Sequence, residues 1–234
     1  MASDDWTELA NVLSAGIVAR GASGGFTPPN GGGTAVYVAH CLDGTVTGAV
    51  GSYCNLANYG PLASGGSIRA CVKRLSSAAN TGFSPFLYIL AGGTDVADNA
   101  YLLGLEDRDP YRIVLRKGSI LGGIPEATDG EYLRRSSDEY QISDDLWHHI
   151  RLDALVEPTG DVVLNVYESD LSTHACTAPS WSAITGMAQF VDDVAGVNSG
   201  SLPYTSGYAG FASAHQEQIS ARVAWDHIQL LRQT

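Results

Sequence analysis

LWHHIRLDALVEPTGDVVLNVYESDL, residues 146–171, is the stretch on which the fold class turns. His148, Ile150, Leu152 and Ala154 alternate with more polar neighbours, the period of two expected where successive side chains leave opposite faces of a strand. Pro158, Thr159, Gly160 and Asp161 supply turn residues, and Val162, Leu164 and Val166 resume the alternation on the way back. The stretch reads as a long β-hairpin.

Working outward, the same period recurs on both sides. In TAVYVAHC (34–41) Val36 and Val38 alternate with Tyr37 and Ala39, and in SIRACVKRL (67–75) Ile68, Ala70 and Val72 alternate with Arg69, Cys71 and Lys73. The second pattern has one dry and one wet face. PFLYILAG (85–92), AYLLGLED (100–107) and PYRIVLRK (110–117) follow at close intervals, bounded by Gly, Pro or Asp as the strands of a meander are, with a turn at Asp109-Pro110. GSILGG (118–123) and GEYLRRSS (130–137) read as shorter strands. The chain closes on GYAGFASA (207–214) and ISARVAWDHIQLLRQ (219–233), with Val223, Trp225 and His227 expected on one face and Ala224, Asp226 and Ile228 on the other. About ten strands or more are too many for one open twisted sheet and suit two sheets stacked face to face. The expected fold is therefore all-β, a two-sheet antiparallel sandwich over residues 34–234.

Residues 1–33 read as an N-terminal arm and connection. Trp6, Leu9 and Leu13 stand at roughly helical spacing, and the same segment reads equally as an extended arm. GASGGFTPPNGGG (21–33) holds six glycines and two prolines, a connection rather than a core element. The arm has two destinations open to it, its own domain or a neighbouring subunit. Residues 172–207 form a long connection rich in Ser and Gly, with a short helix expected over 181–191; its length implies that it is packed, functional or both.

At 44% hydrophobic and 16% charged, the chain has the apolar side chains for a large core. A net charge of −12 opposes a polyanion, so nucleic acid is not an expected partner. Ten of the 13 Lys and Arg residues nevertheless fall between Arg69 and Arg151, a local basic face read as salt-bridged or as a subunit contact. Cys41, Cys54, Cys71 and Cys176 lack metal-ligand spacing; Cys41 and Cys71, inside alternating stretches, read as small buried hydrophobes, with a disulfide left open. The opening MASDDWTELANVL lacks the basic segment and apolar run of a secretory signal, so folding in a cytoplasm is expected. No stretch approaches the ~20 apolar residues of a membrane span, and no membrane partner is expected.

A glycosidase on such a fold would set paired carboxylates at alternating positions of one strand. Glu106 and Asp107 point to opposite faces and Asp109 lies at a Pro turn, while Asp138, Glu139, Asp144 and Asp145 bracket a loop and read as solvated. His148 and His149, adjacent on a strand, face opposite ways and cannot share one metal; one packed and one exposed histidine is expected. Asp226 with His227 fails for the same reason. The glycines of 21–33 lack the lysine and helix of a phosphate loop. The chain is accordingly expected to be no enzyme, with no cofactor and no catalytic residue. Trp181, Tyr204 and Tyr208 are the candidates for stacking against sugar faces, set against packing in a core or interface.

Trp147-His148-His149-Ile150-Arg151-Leu152 followed by Gly160-Asp161-Val162-Val163-Leu164-Asn165-Val166-Tyr167 resembles the hairpin of laminin G-like and concanavalin A-like domains. Gly207-Tyr208-Ala209-Gly210-Phe211 and Val223-Ala224-Trp225-Asp226-His227-Ile228 are similar to the penultimate and final strands of that family. The resemblance covers roughly residues 85–232 and implies a concanavalin-like jelly roll, a fold that serves many functions. It also implies Asp192, Asp193 and Asn198 as oxygen donors for a rim calcium, against an ordinary turn; the turn is preferred, and no metal is assigned. In style, the Gly-rich amino end and the missing catalytic set look similar to structural proteins of tailed bacteriophages. The expectation is a virion part, capsid decoration or tail component, contacting copies of itself and other virion proteins. The alternative is a lectin-like module whose partner is carbohydrate, and the third, a glycoside hydrolase.

Overall fold

The computed structural model describes residues 61–74, 83–95, 97–105, 112–120, 132–137, 147–169, 180–215 and 222–233, and the backbone of strands at 6–8, 16–20, 37–41 and 48–54. These residues form fifteen strands and no helix. The first sheet runs, in spatial order, β1 (Trp6–Glu8), β4 (Gly48–Cys54), β14 (Tyr208–His215), β6 (Phe83–Ala91), β7 (Asn99–Leu105), β8 (Ile113–Ser119) and β9 (Tyr132–Arg135). The second runs β12 (Trp181–Ala183), β11 (Val162–Ser169), β10 (His148–Val156), β5 (Gly65–Arg74), β15 (Arg222–Arg232), β3 (Tyr37–Cys41) and β2 (Gly16–Arg20), with β13 (Phe190–Asp192) also paired to β11. The described pairings are antiparallel. The two closing strands insert into the sheets: β14 lies between β4 and β6, and β15 between β5 and β3. This interleaving of distant segments makes the two-sheet sandwich that the alternation predicts a jelly roll, as the resemblance to concanavalin A-like domains implies.

The hairpin forms as read between His148 and Ser169. Val156 pairs with Val162 across the turn, Glu157 and Asp161 close it through a backbone hydrogen bond of 2.9 Å, and Gly160 takes the left-handed φ of 91° that favours glycine there. Ile150, Leu152 and Ala154 of β10 and Val162, Leu164 and Val166 of β11 face inward with Ile68, Ala70 and Val72 of β5. They meet Leu87, Ile89, Tyr101 and Leu103 of the first sheet, and the rings of Phe211 and Trp225 bridge the sheets at 5.4 Å. A second buried cluster, Phe86, Tyr88, Leu102 and Val114, lies on the opposite face of the first sheet. Both faces of β6 and β7 are thus buried, which is why PFLYIL and AYLL read as nearly continuous apolar runs instead of clean alternation.

Four local expectations change, and a fifth point, left open for the cysteines, is decided. Residues 181–191 hold β12 and β13 in place of a helix, because β11 offers its free edge to both. Gly118 and Ser119 end β8 instead of beginning a separate strand. A register shift between Asp226 and Gln229 brings Ile228 into the core with Trp225, so the two share a face that strict alternation would deny them. His149 is only 5% exposed and His148 1%, so both are buried, on opposite faces. Cys71 is disulfide-bonded. Trp6–Glu8 is extended and pairs with β4, and Gly16–Arg20 pairs with β3. Glu106, Asp107, Asp109, Asp138, Glu139, Asp144 and Asp145 lie outside the described residues, as do the side chains of Asp226 and His227.

Candidate functional site

The inner positions of β5, β10 and β11 are spent on the core, so their alternate positions build the outer face of the second sheet. Register decides which of those side chains meet: Arg151 of β10 stands directly opposite Arg69 of β5, and Asp153 opposite Ser67 on one side and Asn165 on the other. Gln229 stands opposite Arg69 from β15 because the preceding bulge resets that strand's phase. Trp181 arrives on β12, opposite Ser169.

Hydrogen bonds fix this face. Arg151 grips Asp153 through two bonds, Nε to Oδ1 at 2.7 Å and Nη2 to Oδ2 at 2.6 Å, and its Nε also donates to Ser67 Oγ at 3.1 Å. Arg69 donates from Nε (2.9 Å) and Nη2 to Gln229 Oε1. The guanidinium carbons of Arg69 and Arg151 each lie 5.8 Å from the Trp181 ring centroid, and Arg151 lies 5.1 Å from that of Tyr167. His149 meets the Trp181 ring edge-on at 4.5 Å, so the indole covers it. Trp181 and Tyr167 themselves remain partly exposed. Arg151, which stands by both rings, also lines a hollow of about 310 Å³ with Ser67, Asp153, Asn165 and Leu231. Burial, then the neighbouring charge of Arg151, lowers the pKa of Arg69.

The three aromatic candidates are not brought together. Trp181 belongs to this face. Tyr208 packs against the cluster on the far face of the first sheet. Tyr204 lies against the inter-sheet core, its ring 5.2 Å from Tyr101 and 4.8 Å from Lys117 Nζ. Arg69, Arg151, Asp153, Tyr167 and Gln229 are functional candidates that sequence reading did not single out. Their signal was the wet half of SIRACVKRL and the concentration of basic residues between positions 69 and 151; the pairing that joins them spans the chain.

The carboxylates considered for calcium are engaged within the fold, and Asn198 donates its Nδ2 to the Val191 carbonyl at 2.9 Å. Asp192, fully buried, takes the Lys117 ammonium at 2.7 Å and hydrogen bonds from the Tyr101 and Ser199 hydroxyls. Asp193 accepts the amides of Val197 and Asn198 at 3.1 and 3.2 Å, and these bonds, Val197 first, lower its pKa. Lys117 further donates to the carbonyls of Ser201 and Leu202, at 3.0 and 2.7 Å, so one buried ion pair ties the long connection to the first sheet. These groups hold the fold.

The architecture is that of the lectin-like jelly-roll sandwiches. In particular, it is shared with the carbohydrate-binding module CBM66 from Bacillus subtilis, at TM-score 0.51 and 8% identity over 97% of this chain and 95% of that one. The legume lectin-like domain from Entamoeba histolytica matches at TM-score 0.51 and 9% identity, covering 98% and 91%. The exoplasmic/lumenal domain of VIP36, in its Ca²⁺- and Man3GlcNAc-bound form, matches at TM-score 0.52 and 11% identity, covering 98% and 86%. Identities this low establish a common fold. No protein-family model matches the chain, and neither does any curated protein.

Proposed function

We propose that this protein is a carbohydrate-binding module that takes a glycan on the outer face of its second sheet. The observation that carries the reading is the cluster itself: partly exposed Trp181 and Tyr167 beside fixed guanidinium, carboxylate and carboxamide groups, of which Arg151 and Asp153 also line a hollow. A sugar ring has an apolar face that stacks on an aromatic side chain and a hydroxyl rim that seeks such polar groups. Strands hold these groups in place, so little ordering is needed on binding. That a carbohydrate-binding module, a lectin-like domain and a Man3GlcNAc-bound domain share the fold favours the glycan alternative over the virion part expected from the style of the sequence.

The module is read as a binder without catalysis. Glycoside hydrolysis generally uses two carboxyl groups roughly 5–9.5 Å apart. Among the described side chains of this face Asp153 is the one carboxylate, and Arg151 holds both its oxygens. A disulfide at Cys71 suits a protein that works outside a reducing cytoplasm.

Screening the full chain on a glycan array, then titrating the best ligand by calorimetry, tests the reading. Saturable binding that Trp181→Ala abolishes is expected. Absence of binding to any glycan, or an alanine variant that binds as tightly as the parent, would overturn it.

A further inference from the structure

Arg69 and Arg151 are directly opposed across β5 and β10, and like charges so placed repel. Among the described residues only one of them meets a carboxylate. Arg151 has Asp153 in a two-point ion pair, whereas Arg69 ends on the neutral carboxamide of Gln229 and meets no carboxylate among the described residues. Its Nε and Nη2 are used there, and a guanidinium carries five N–H donors in one plane. The charges of these three ionic side chains sum to plus one, on a chain whose total is −12. An anion beside Arg69 would relieve the repulsion between the two guanidinium groups. Burial followed by the charge of Arg151 lowers the pKa of Arg69, in keeping with an uncompensated cation.

The shape beside Arg69 narrows the anion. The Trp181 ring lies 5.8 Å from both guanidinium carbons, so a group bonded to Arg69 brings whatever it is attached to against the indole. A flat, two-oxygen anion fits the guanidinium fork in a way that a point charge does not. Resting on the glycan reading of this face, we infer that the ligand is an acidic sugar whose ring carboxylate is clamped by Arg69 while the ring stacks on Trp181. The rest of the chain then occupies the hollow by Ser67, Asp153 and Asn165. Arg69 is thus a specificity-determining residue.

The test titrates the full chain with oligomers of galacturonic acid, the same oligomers methyl-esterified, neutral gluco- and manno-oligosaccharides, and dextran sulfate. Expected are saturable binding of the free-acid oligomer, a loss of roughly 10- to 100-fold on esterification, and a similar loss with Arg69→Gln. The Arg69→Gln protein should melt at or above the parental temperature, because a like-charge opposition is gone, which separates lost recognition from lost folding. Equal binding of acid and ester, or binding of neutral oligosaccharides alone, overturns the acidic specificity and leaves the glycan reading standing. Dextran sulfate matching the free acid overturns it in favour of general polyanion attraction. Binding of no sugar overturns both.

Discussion

Tyr101 shows how much one buried hydroxyl holds together. It donates to Asp192, accepts the Tyr204 amide at 3.0 Å and packs beside the Tyr204 ring, so β7, β13 and the long connection share one side chain. Burial first, then its bond to Asp192, raises its pKa well above the ordinary value of about 10. In the folded chain the phenol therefore keeps a proton that the unfolded chain releases as pH passes about 10. Unfolding is then favoured by alkali: the stabilisation is complete below that pH and is lost progressively above it. Urea midpoints between about pH 8 and 11 should fall with rising pH, and Tyr101→Phe should flatten the fall. Part of the slope should persist through Tyr204, whose pKa is raised by burial and then by Asp192. A slope unchanged by the phenylalanine would show that Tyr101 is not the group responsible.

At the level of elements, a strand pair carries both the core and the candidate site. Wherever β5 and β10 lie in register, Ile68 and Leu152 meet on one face and Arg69 and Arg151 on the other; a slip of one residue would exchange faces and destroy both. Gly65, at the start of β5, helps to set that register. It has φ of 94°, and a Cβ there would lie 2.0 Å from the Ala154 carbonyl oxygen. Gly65→Ala should therefore destabilise by about 1–3 kcal/mol from backbone conformation alone, and by more from the contact. Chemical denaturation measures this; a loss below about 0.5 kcal/mol would contradict the close approach. The hairpin that carries β10 was legible because its turn chemistry and alternation are local. The bulge in β15 was not, because nothing local in WDHIQ announces a residue inserted to bring Ile228 under the opposite sheet.

The whole molecule closes by inserting its last strands among its first. Cys71 lies at this junction, on β5 between β10 and β15, and is fully buried. Its disulfide restricts the unfolded chain, so reduction should cost about 2–5 kcal/mol. Urea unfolding with and without a thiol reductant checks it, a fall in midpoint being expected and an unchanged midpoint counting against a structural role. The burial of both faces of β6 and β7 shows the same closure from the other side, as sequence-distant apolar runs become central strands.

What the sequence determined by itself is what short-range periodicity can encode. Alternation after residue 34 required strands, their number required two sheets, and the 146–171 hairpin announced its own turn. Trp181 was legible as a stacking candidate because a large aromatic in a polar connection is unusual wherever the chain takes it. Tertiary structure decided the rest: that Tyr204 and Tyr208 lie elsewhere, that Asp192 belongs to Lys117, and that Arg69 faces Arg151. Those pairings join residues far apart in the chain through strand register, and register is fixed by the burial of the opposite face, a property of the assembled sheets that no single segment contains.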